Sequence, residues 1–322
     1  MTRRNIVLAL VAALAIGSSP LLFSDDGVIE INQARASTGS VTPGDAPGFP
    51  VTLSESGSYV LTGNLTLPDA DTTGIVVEAD DVTIDLNGFA IQGPTVCSLP
   101  DCLPLGEGRG ILTEDTSNMT VRNGTIRGTG REGILTRRGT SHRAENVRVV
   151  SCGAAGIRFE TPDSVVMECS VVATDYGIFT DRGGTVAHST CSNNTNGITT
   201  GEASLVVGNT ASGNTLIGIF GGDSSVVKDN VATGNGGGGI AAGSASTLSG
   251  NTASNNEGDG IRTLDGSTVL GNASNGNSGF GIWMFGSSSG YGNNVVSNNA
   301  GGTVFGGTQI GINLCDASTT CP

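Results

Sequence analysis

The chain has 322 residues, a formal charge of −14 at pH 7, and 52 Gly but only 10 Pro. This acidic balance argues against a nucleic acid or an anionic membrane surface as the partner. A Gly content about double ordinary usage, with few Pro and many Val and Ile, is typical of short strands joined by tight turns and argues against a disordered chain.

The N-terminus has the pattern of a secretory signal peptide. Arg3 and Arg4 precede an apolar run, residues 6–17, that is too short to span a bilayer. We expect residues 1–24 to be cleaved; cleavage after Ala36 and a retained membrane anchor are the alternatives. Loss of residues 1–24 removes two Arg and no acid, which changes the formal charge from −14 to −16. We therefore expect a secreted, periplasmic or cell-envelope protein without a transmembrane helix in the mature chain.

A short amphipathic helix is predicted over residues 27–36 (GVIEINQARA). It lies in an N-terminal segment, residues 25–60, that we expect to cap the body that follows. A stack of repeats needs such a cap because its open end otherwise exposes apolar surface.

Seven Cys residues fit an oxidising compartment. Two pairs bracket short segments and are predicted to form local disulfides: Cys97–Cys102, around a Pro-containing loop (CSLPDC), and Cys315–Cys321, at the C-terminus. The other three, Cys152, Cys169 and Cys191, lie in consecutive repeats, so that two can pair and one is left as a buried thiol. Their spacing does not match a zinc motif.

The dipeptide Gly-Ile recurs at almost constant spacing through the body of the chain. Nine copies are separated by steps of 20 to 23 residues, and an earlier copy begins at Gly74. The nine copies begin at Gly110, Gly133, Gly156, Gly177, Gly197, Gly218, Gly239, Gly260 and Gly281. A fixed period in the twenties is typical of a solenoid, in which each repeat buries its apolar face by stacking on its neighbours.

Each repeat contains a short Val-rich strand, an Asn, a second short strand, a second Asn and the Gly-Ile strand, as in residues 204–221. No segment within the repeats shows helical spacing, and none between repeats is long enough for a crossover helix. Successive turns can therefore pair in parallel about 4.8 Å apart, which predicts an all-β, single-stranded parallel β-helix. We expect about 10–11 coils over residues 61–306 and a C-terminal cap or tail at residues 307–322.

One Asn position recurs regularly. Asn209, Asn230 and Asn251 are spaced 21 residues apart. Asn tolerates a left-handed backbone, and its amide can bond to the copies above and below. We predict a ladder of stacked amides; a glycosylated surface, which needs Asn-x-Ser/Thr in loops, is the alternative.

The Gly-Ile strands, the Asn positions and the Val-rich strands together resemble the secreted right-handed parallel β-helix proteins of the pectate-lyase-like superfamily. Residues 56–93 (SGSYVLTGNLTLPDADTTGIVVEADDVTIDLNGFAIQG) resemble the N-terminal part of bacterial members. The resemblance covers the chain from Val51 to its end, and it implies a right-handed coil. It does not imply one activity, because the superfamily includes lyases, hydrolases, epimerases and adhesins.

The Gly-Ile strand predicts which side chains face outward. If Ile points inward, alternation places the residues two and four after each Gly on the outer face. Four residues after Gly, charged residues concentrate in the early repeats, and this stripe is the candidate site. Its predicted catalytic residues are Glu160, Asp181, Arg137 and Arg158, and its predicted substrate-binding residues are Glu114, Arg138, Arg182 and Phe179.

Carboxylates grouped in this way could hold calcium, with Glu160 and Asp181 as the candidate ligands. An Arg between them could bind a uronate carboxylate or act as the base in β-elimination. The structural alternative is a solvated ladder of alternating charges, with each cross-strand pair worth roughly 0.2–1 kcal/mol. The sequence indicates no other cofactor.

Other chemical motifs are weak. The only two His residues, His142 and His188, lie two coils apart on different parts of the repeat, which argues against a His-based triad. The Asp-Pro-His-Asp/Glu motif of alginate epimerase-like members is absent from the sequence, which lowers the case for catalysis.

Aromatic residues make up only 4% of the chain, too few for a broad platform on which sugars could stack. Trp283, Phe285 and Tyr291 cluster near the C-terminus. We expect these three side chains to pack under the C-terminal tail.

Three functions fit the sequence. The first is recognition of polysaccharide along the long face of a monomeric β-helix. The second is a polysaccharide lyase or glycoside hydrolase that acts on an acidic glycan with the charged stripe. The third is a non-catalytic structural or adhesion protein of the cell surface. The acidic charge repels a polyuronate at long range, so that binding of such a polymer would depend on the local Arg residues or on calcium.

Overall fold

The computed structural model describes residues 27–98 and 101–321. The predicted signal peptide lies outside these residues. The described chain winds into a parallel β-helix, with three short strands in each coil and one helix, α1 (Gln33–Thr38), near the start. Within the described ranges, no helix is long and apolar enough to cross a membrane.

Sheet 1 contains the Gly-Ile strands and has twelve parallel strands. Strands are numbered in chain order through the whole molecule. Those of sheet 1 are β2 (Val51–Leu53), β5 (Ile75–Val77), β10 (Ile111–Ser117), β12 (Ile134–Thr140), β14 (Ile157–Glu160), β17 (Tyr176–Thr180), β20 (Asn196–Thr200), β23 (Ile219–Gly221), β26 (Ile240–Ala242), β29 (Ile261–Thr263), β32 (Phe280–Met284) and β35 (Gly302–Phe305). The fold prediction is confirmed, and the stack exceeds the expected 10–11 coils because β2 and β35 join it without a Gly-Ile dipeptide.

Sheets 2 and 3 are the other two sides of the coil. The strands of sheet 2 are β1 (Ile29–Ile31), β3 (Gly57–Leu61), β6 (Val82–Asp85), β15 (Val165–Met167), β18 (Thr185–Ala187), β21 (Leu205–Val207), β24 (Val226–Lys228), β27 (Thr247–Ser249), β30 (Thr268–Leu270), β33 (Gly290–Gly292) and β36 (Thr308–Gln309). The strands of sheet 3 are β4 (Leu65–Thr66), β7 (Ala90–Gln92), β16 (Ser170–Val172), β19 (Thr190–Ser192), β22 (Thr210–Ser212), β25 (Val231–Thr233), β28 (Thr252–Ser254), β31 (Ala273–Asn275), β34 (Val295–Ser297) and β37 (Leu314–Cys315).

Two long strands, β11 (Thr120–Arg127) and β13 (Arg143–Val150), belong to both sheets 2 and 3. Each bends at an Asn with a left-handed backbone, Asn123 (φ 59°) and Asn146 (φ 51°). A small antiparallel hairpin, β8 (Val96–Ser98) and β9 (Asp101–Leu103), lies outside the three sheets.

The core is the interior of the coil. The Ile of every Gly-Ile dipeptide from Ile75 to Ile282 is buried, which confirms the predicted inward face. Most rungs contribute one or two apolar side chains from each sheet, so that no coil has a core of its own and apolar area is buried between neighbouring coils.

The N-terminal end differs from the predicted helix over residues 27–36. Ile29–Ile31 form β1, which pairs in parallel with β3. This pairing places the Ile31 side chain in the core. The helix α1 begins only after Asn32, whose side-chain oxygen accepts a 3.0 Å hydrogen bond from the Arg35 backbone N–H. The helix prediction is therefore wrong for its first half.

The first edge of sheet 1 is covered by side chains of the preceding loop. The backbone N–H of Thr52 donates to Asp45 Oδ1 at 2.8 Å, and Thr42 Oγ1 donates to the Thr52 carbonyl at 2.6 Å. These bonds satisfy backbone groups at the edge strand β2, where another strand would otherwise pair.

Two disulfides link Cys97 to Cys102 and Cys315 to Cys321. The other three Cys residues, Cys152, Cys169 and Cys191, are free and buried, so that no pair forms among them. They point into the core from successive coils: Cys191 lies in a row of apolar side chains, whereas Cys152 and Cys169 lie in rows that continue as buried Asn in the later coils.

Two ladders of buried Asn run through the later coils, and the predicted amide ladder is confirmed. In one, Asn230 Nδ2 donates to Asn251 Oδ1 at 3.0 Å, and the same oxygen accepts from the Asn230 backbone N–H at 3.0 Å. The two ladders consist of Asn209, Asn230, Asn251, Asn272, Asn294 and Asn313, and of Asn194, Asn214, Asn235, Asn256, Asn277 and Asn299. The left-handed residue precedes the ladder Asn, as Asp229 (φ 57°) precedes Asn230.

Loss of one ladder amide should destabilise the coil. In Asn251→Ala the buried donors of Asn230 lose their acceptor, which should cost about 1–3 kcal/mol in the free energy of unfolding. Urea unfolding followed by circular dichroism measures the effect. Asn275→Ala, at an exposed position, is the matched control and should change the free energy by less than about 0.5 kcal/mol. Equal effects of the two substitutions would contradict a stabilising ladder.

His142 should make the fold sensitive to acid. Its ring is buried, its Nδ1 accepts from the Met119 backbone N–H at 3.2 Å, and burial lowers its pKa to about 4. The unfolded chain binds this proton below a pKa of about 6.5, so that stability falls as pH drops from 6.5 towards 4, by up to about 3 kcal/mol. Urea unfolding at several pH values should show this loss, and His142→Asn should remove part of the pH dependence. The exposed His188→Asn should leave it unchanged.

Candidate functional site

The outer face of sheet 1 carries one continuous line of side chains, here called the central row. Its members pair in register from strand to strand. In chain order they are Thr52, Val76, Leu112, Leu135, Arg158, Phe179, Thr199, Phe220, Ala241, Arg262, Trp283 and Phe305. At about 4.8 Å per rung, the row is roughly 50 Å long.

The predicted charged stripe lies beside the central row on β10, β12 and β14. Glu114, Arg137 and Glu160 occupy equivalent positions on successive rungs. Arg137 Nη1 lies 3.5 Å from Glu114 Oε1, and Arg137 Nε lies 3.3 Å from Glu160 Oε2. Arg138 extends the stripe, because its Nη2 lies 3.4 Å from Glu114 Oε2 and 2.7 Å from Asp115 Oδ2.

The stripe meets the central row at Arg158. Its Nε lies 2.7 Å from Glu160 Oε1, and its guanidinium lies 5.1 Å from the ring centre of Phe179. The structure thus brings together six of the eight predicted site residues: Glu114, Arg137, Arg138, Arg158, Glu160 and Phe179. Asp181 and Arg182 are exposed in the next turn, where Asp181 Oδ1 accepts from the Arg182 backbone N–H, and neither joins the network of ion pairs.

Charges within the stripe balance one another. Its three guanidinium groups and three carboxylates are joined by ion pairs between partly exposed side chains. Both oxygens of Glu160 face an Arg, which leaves that carboxylate poorly placed as a calcium ligand. In the part of the chain that the structure describes, no group of three or more His, Cys, Asp or Glu could hold a metal ion. The stripe therefore has the features of the stabilising charge ladder that was the structural alternative.

Aromatic side chains cluster at the opposite end of the same face. The rings of Trp283 and Phe305 are stacked, with 6.1 Å between their centres and 10° between their planes. The Phe285 ring is also stacked with that of Trp283, with 5.9 Å between their centres, and the ring centre of Phe280 lies 5.3 Å from that of Phe305. Phe285 and Phe305 remain more than half exposed. This group of four is here called the aromatic cluster.

An Arg and an open groove adjoin the aromatic cluster. The Arg262 guanidinium lies 4.5 Å from the ring centre of Trp283, and it forms no ion pair with any acid in the described residues. On its other side a groove of about 420 Å³ opens over Ala241. Its walls include Phe220 and Leu264, and we call it the Ala241 cup.

The position of these aromatic residues corrects one expectation. Trp283 and Phe285 do not pack under the C-terminal tail, because the tail strands β36 and β37 join sheets 2 and 3 and leave sheet 1 uncovered. Tyr291 points into the core and is 5% exposed. The alternation of the Gly-Ile strand correctly places Trp283 on the outer face. The expectation that it packs under the tail came from the proximity of three aromatic residues in the sequence, and only Tyr291 is buried.

A second concave surface follows the bend between sheets 2 and 3 in the early coils. It has a volume of about 590 Å³ and includes Asp85, Asn123 and Asn146. These side chains bond to one another: Asn146 Nδ2 donates to Asn123 Oδ1 at 3.1 Å, and Asn123 Nδ2 donates to Asp85 Oδ2 at 3.2 Å. The surface is polar, open and without an aromatic residue, and it is therefore a weaker candidate than the outer face of sheet 1.

Comparison with known proteins agrees with the geometry. The family described as the right handed beta helix region matches residues 51–216, which is more than half of the chain. This protein belongs to the right-handed β-helix family. Residues 161–304 of this β-helix protein also match the family described as periplasmic copper-binding protein (NosD). No curated protein sequence matches the chain.

Solved structures share the fold at low sequence identity. The A-module of the mannuronan C-5 epimerase AlgE6 from Azotobacter vinelandii is 14% identical, with 80% of this chain and 91% of that chain covered and a TM-score of 0.54. A mutant of the periplasmic alginate epimerase AlgG is 12% identical, with 83% and 86% covered and a TM-score of 0.54. Bacteriophage CBA120 tailspike protein 3 is 10% identical, with 85% and 55% covered and a TM-score of 0.54.

The residues of this β-helix protein do not fit a copper site of the kind that the second family description names. Burial raises the pKa of the Cys152 thiol to about 11 and that of Cys169 to about 12, and it raises the pKa of Cys191 as well. These thiols therefore stay protonated, whereas a metal binds the thiolate. His142 is buried and His188 lies at the bend between sheets 2 and 3, so that the described residues bring no imidazole to the outer face of sheet 1.

Removal of the middle Arg tests the interpretation of the stripe as a structural ladder. In Arg137→Ala, Glu114 and Glu160 each keep one other Arg partner, so that we expect a loss of only about 0.2–1 kcal/mol in the free energy of unfolding. Urea unfolding at low salt should show this loss. The loss should become smaller at about 1 M salt, because salt screens the ion pairs when the Debye length is ~3 Å. Arg182→Ala, at an Arg that forms no ion pair with any residue that the structure describes, is the control. A salt-independent loss would argue against a charge ladder.

Proposed function

We propose that this β-helix protein binds polysaccharide along the outer face of sheet 1, with the aromatic cluster and Arg262 as its main contact. The observation that carries the proposal is the stack of the half-buried Trp283 with the more than half exposed Phe305, beside an Arg with no acidic partner in the described structure. Sugar rings have an apolar face that packs on aromatic side chains. Trp283 and Phe305 present aromatic surface on two neighbouring rungs.

The shape of the face suits a linear polymer. From Arg158 to Phe305 the central row spans eight rungs, roughly 35 Å, and the C-terminal tail strands join sheets 2 and 3 and leave it open, whereas Leu135, earlier in the row, is fully buried. A polymer along this part of the row would contact the aromatic cluster at one end and Arg158 with Phe179 at the other. Two pairs of Arg and aromatic side chains thus lie five rungs apart on one face.

Charge restricts where an acidic glycan could bind. The protein carries a formal charge of −14, which repels polyanions at long range. Arg262 is the exposed cation of the late coils on this face, and its charge is not neutralised by an ion pair in the described structure. We infer that the Arg262 guanidinium can donate hydrogen bonds to a carboxylate or a hydroxyl oxygen of the sugar that stacks on Trp283.

Two further considerations support the proposal. Proteins of the same fold include epimerases named for mannuronan and alginate, which are polysaccharides. The basic and apolar start of the sequence favours secretion, so that we propose an extracellular, periplasmic or cell-envelope location, where such polymers occur.

Binding is better supported than turnover. A catalytic role was predicted for Glu160, Asp181, Arg137 and Arg158, but three of these four side chains neutralise one another in the stripe. Incubation with uronate polymers, with the absorbance of unsaturated products followed, tests the lyase alternative. The structural or adhesion alternative predicts no affinity for any soluble glycan.

Truncation of the stacked Trp should weaken binding. We expect Trp283→Ala to reduce the affinity for a bound polysaccharide at least about tenfold, because one face of a sugar ring loses its aromatic contact. Glycan-array binding of the mature protein identifies the polymer, and isothermal titration calorimetry measures the affinity. Val226→Ala, which removes an exposed apolar side chain from sheet 2, should leave the affinity unchanged. Equal affinities of the parent and Trp283→Ala proteins would remove the aromatic cluster from the proposed site.

A further inference from the structure

The Ala241 cup is a depression in the central row between two large side chains. Ala241 pairs with Phe220 on the preceding rung and with Arg262 on the following rung. The methyl group of Ala241 therefore lies between the Phe220 ring and the Arg262 side chain. The resulting space of about 420 Å³ lies within the range of small-ligand sites.

Two glycines keep the adjoining edge of the cup low. Gly238 and Gly258 lie in the turns that lead into β26 and β29, and both line the cup. A Cβ atom on Gly258 would approach the Gly238 backbone nitrogen to 2.9 Å, which shows how closely these turns stack.

The lining of the cup is mostly apolar, with two polar groups at its rim. Ile217, Phe220 and Leu264 form apolar walls, whereas Asp259 and Arg262 supply the charged atoms. Asp259 Oδ1 accepts a 2.8 Å hydrogen bond from the Phe280 backbone N–H, which fixes the carboxylate beside the opening. An apolar cavity with a few fixed polar groups is the usual form of a site that selects one chemical group.

A sugar hydroxyl does not match this lining. Over Ala241 and Leu264, away from Asp259 and Arg262, a hydroxyl would lose hydrogen bonds to water without a partner to replace them, which is unfavourable. A flat pyranose face would pack better on the aromatic cluster around Trp283, two rungs away. A small apolar substituent that projects from the polymer fits within the cup and matches its lining.

We propose that the Ala241 cup binds a short acyl substituent, an acetyl ester, of the polysaccharide that lies on sheet 1. This inference rests on the function proposed above and adds the substrate class: an O-acetylated glycan. The acetyl methyl group lies over Ala241 against Phe220 and Leu264. The acetyl carbonyl oxygen accepts a hydrogen bond from the Arg262 guanidinium at the rim.

The test compares matched polymers that differ only in acetylation. The probes are O-acetylated xylan and O-acetylated polymannuronate, each beside its alkali-deacetylated form. Because the deacetylation of an ester leaves a hydroxyl, it changes no charge on the polymer. We expect the parent protein to bind the acetylated form of at least one polymer about tenfold more tightly, the effect expected for one small apolar group in a fitted pocket.

Filling the cup should remove this preference. Ala241→Leu places a larger side chain in the space, so that its affinities for the acetylated and deacetylated forms should become equal within about twofold. Ala241→Val fills less of the cup and should give an intermediate preference, which keeps the test valid if the Leu variant is unstable. Thr199→Leu adds a similar side chain to the central row outside the cup and should keep the parent preference.

The outcomes separate the two proposals. Binding of both forms with equal affinity by the parent overturns the acyl site but leaves polysaccharide recognition in place. A preference that survives in Ala241→Leu likewise overturns the acyl site. Failure of the parent to bind any of the four polymers and any glycan on the array overturns both.

Discussion

Parallel pairing in register, at about 4.8 Å per rung, is the constraint on which the rest of this structure depends. It places equivalent residues of successive coils directly above one another, so that each position of the repeat becomes a row. Inward rows form the Ile core and the two Asn ladders, in which every amide bonds to the next. Outward rows determine what each face presents, and a row can change its character along the stack without a change of fold.

The outer face of sheet 1 shows how this constraint separates structural from binding surface. In the early coils, opposite charges four residues after Gly fall on neighbouring rungs and pair with one another, as Glu114, Arg137 and Glu160 do. In the last coils the stacked positions hold aromatic residues and an Arg without an acidic partner in the described structure. Charges that already form ion pairs with one another attract a charged ligand only weakly. Exposed aromatic rings and a guanidinium without an ion pair remain free to contact one.

Much of the fold was predictable because equivalent residues of successive repeats have the same kind of neighbours. The Gly-Ile period predicted the solenoid, the inward Ile and the twofold alternation that put Glu114, Arg137 and Glu160 on one face. The ends were less predictable, since residues there have a neighbour on one side only. Ile29–Ile31 joined sheet 2 as a strand instead of a helix, and β2 and β35 extended sheet 1 without the dipeptide.

The sequence by itself determined the coil, its period, the faces of the Gly-Ile strand and the Asn ladder, because these depend on contacts between equivalent residues one repeat apart. Only the tertiary structure decided that the charged stripe neutralises itself, that Trp283 stays partly exposed while Tyr291 is buried, and that a cup opens over Ala241. These features depend on the rotamers of long side chains, on the path of the C-terminal tail and on the space between rungs. None of the three is encoded in the spacing of a single repeat.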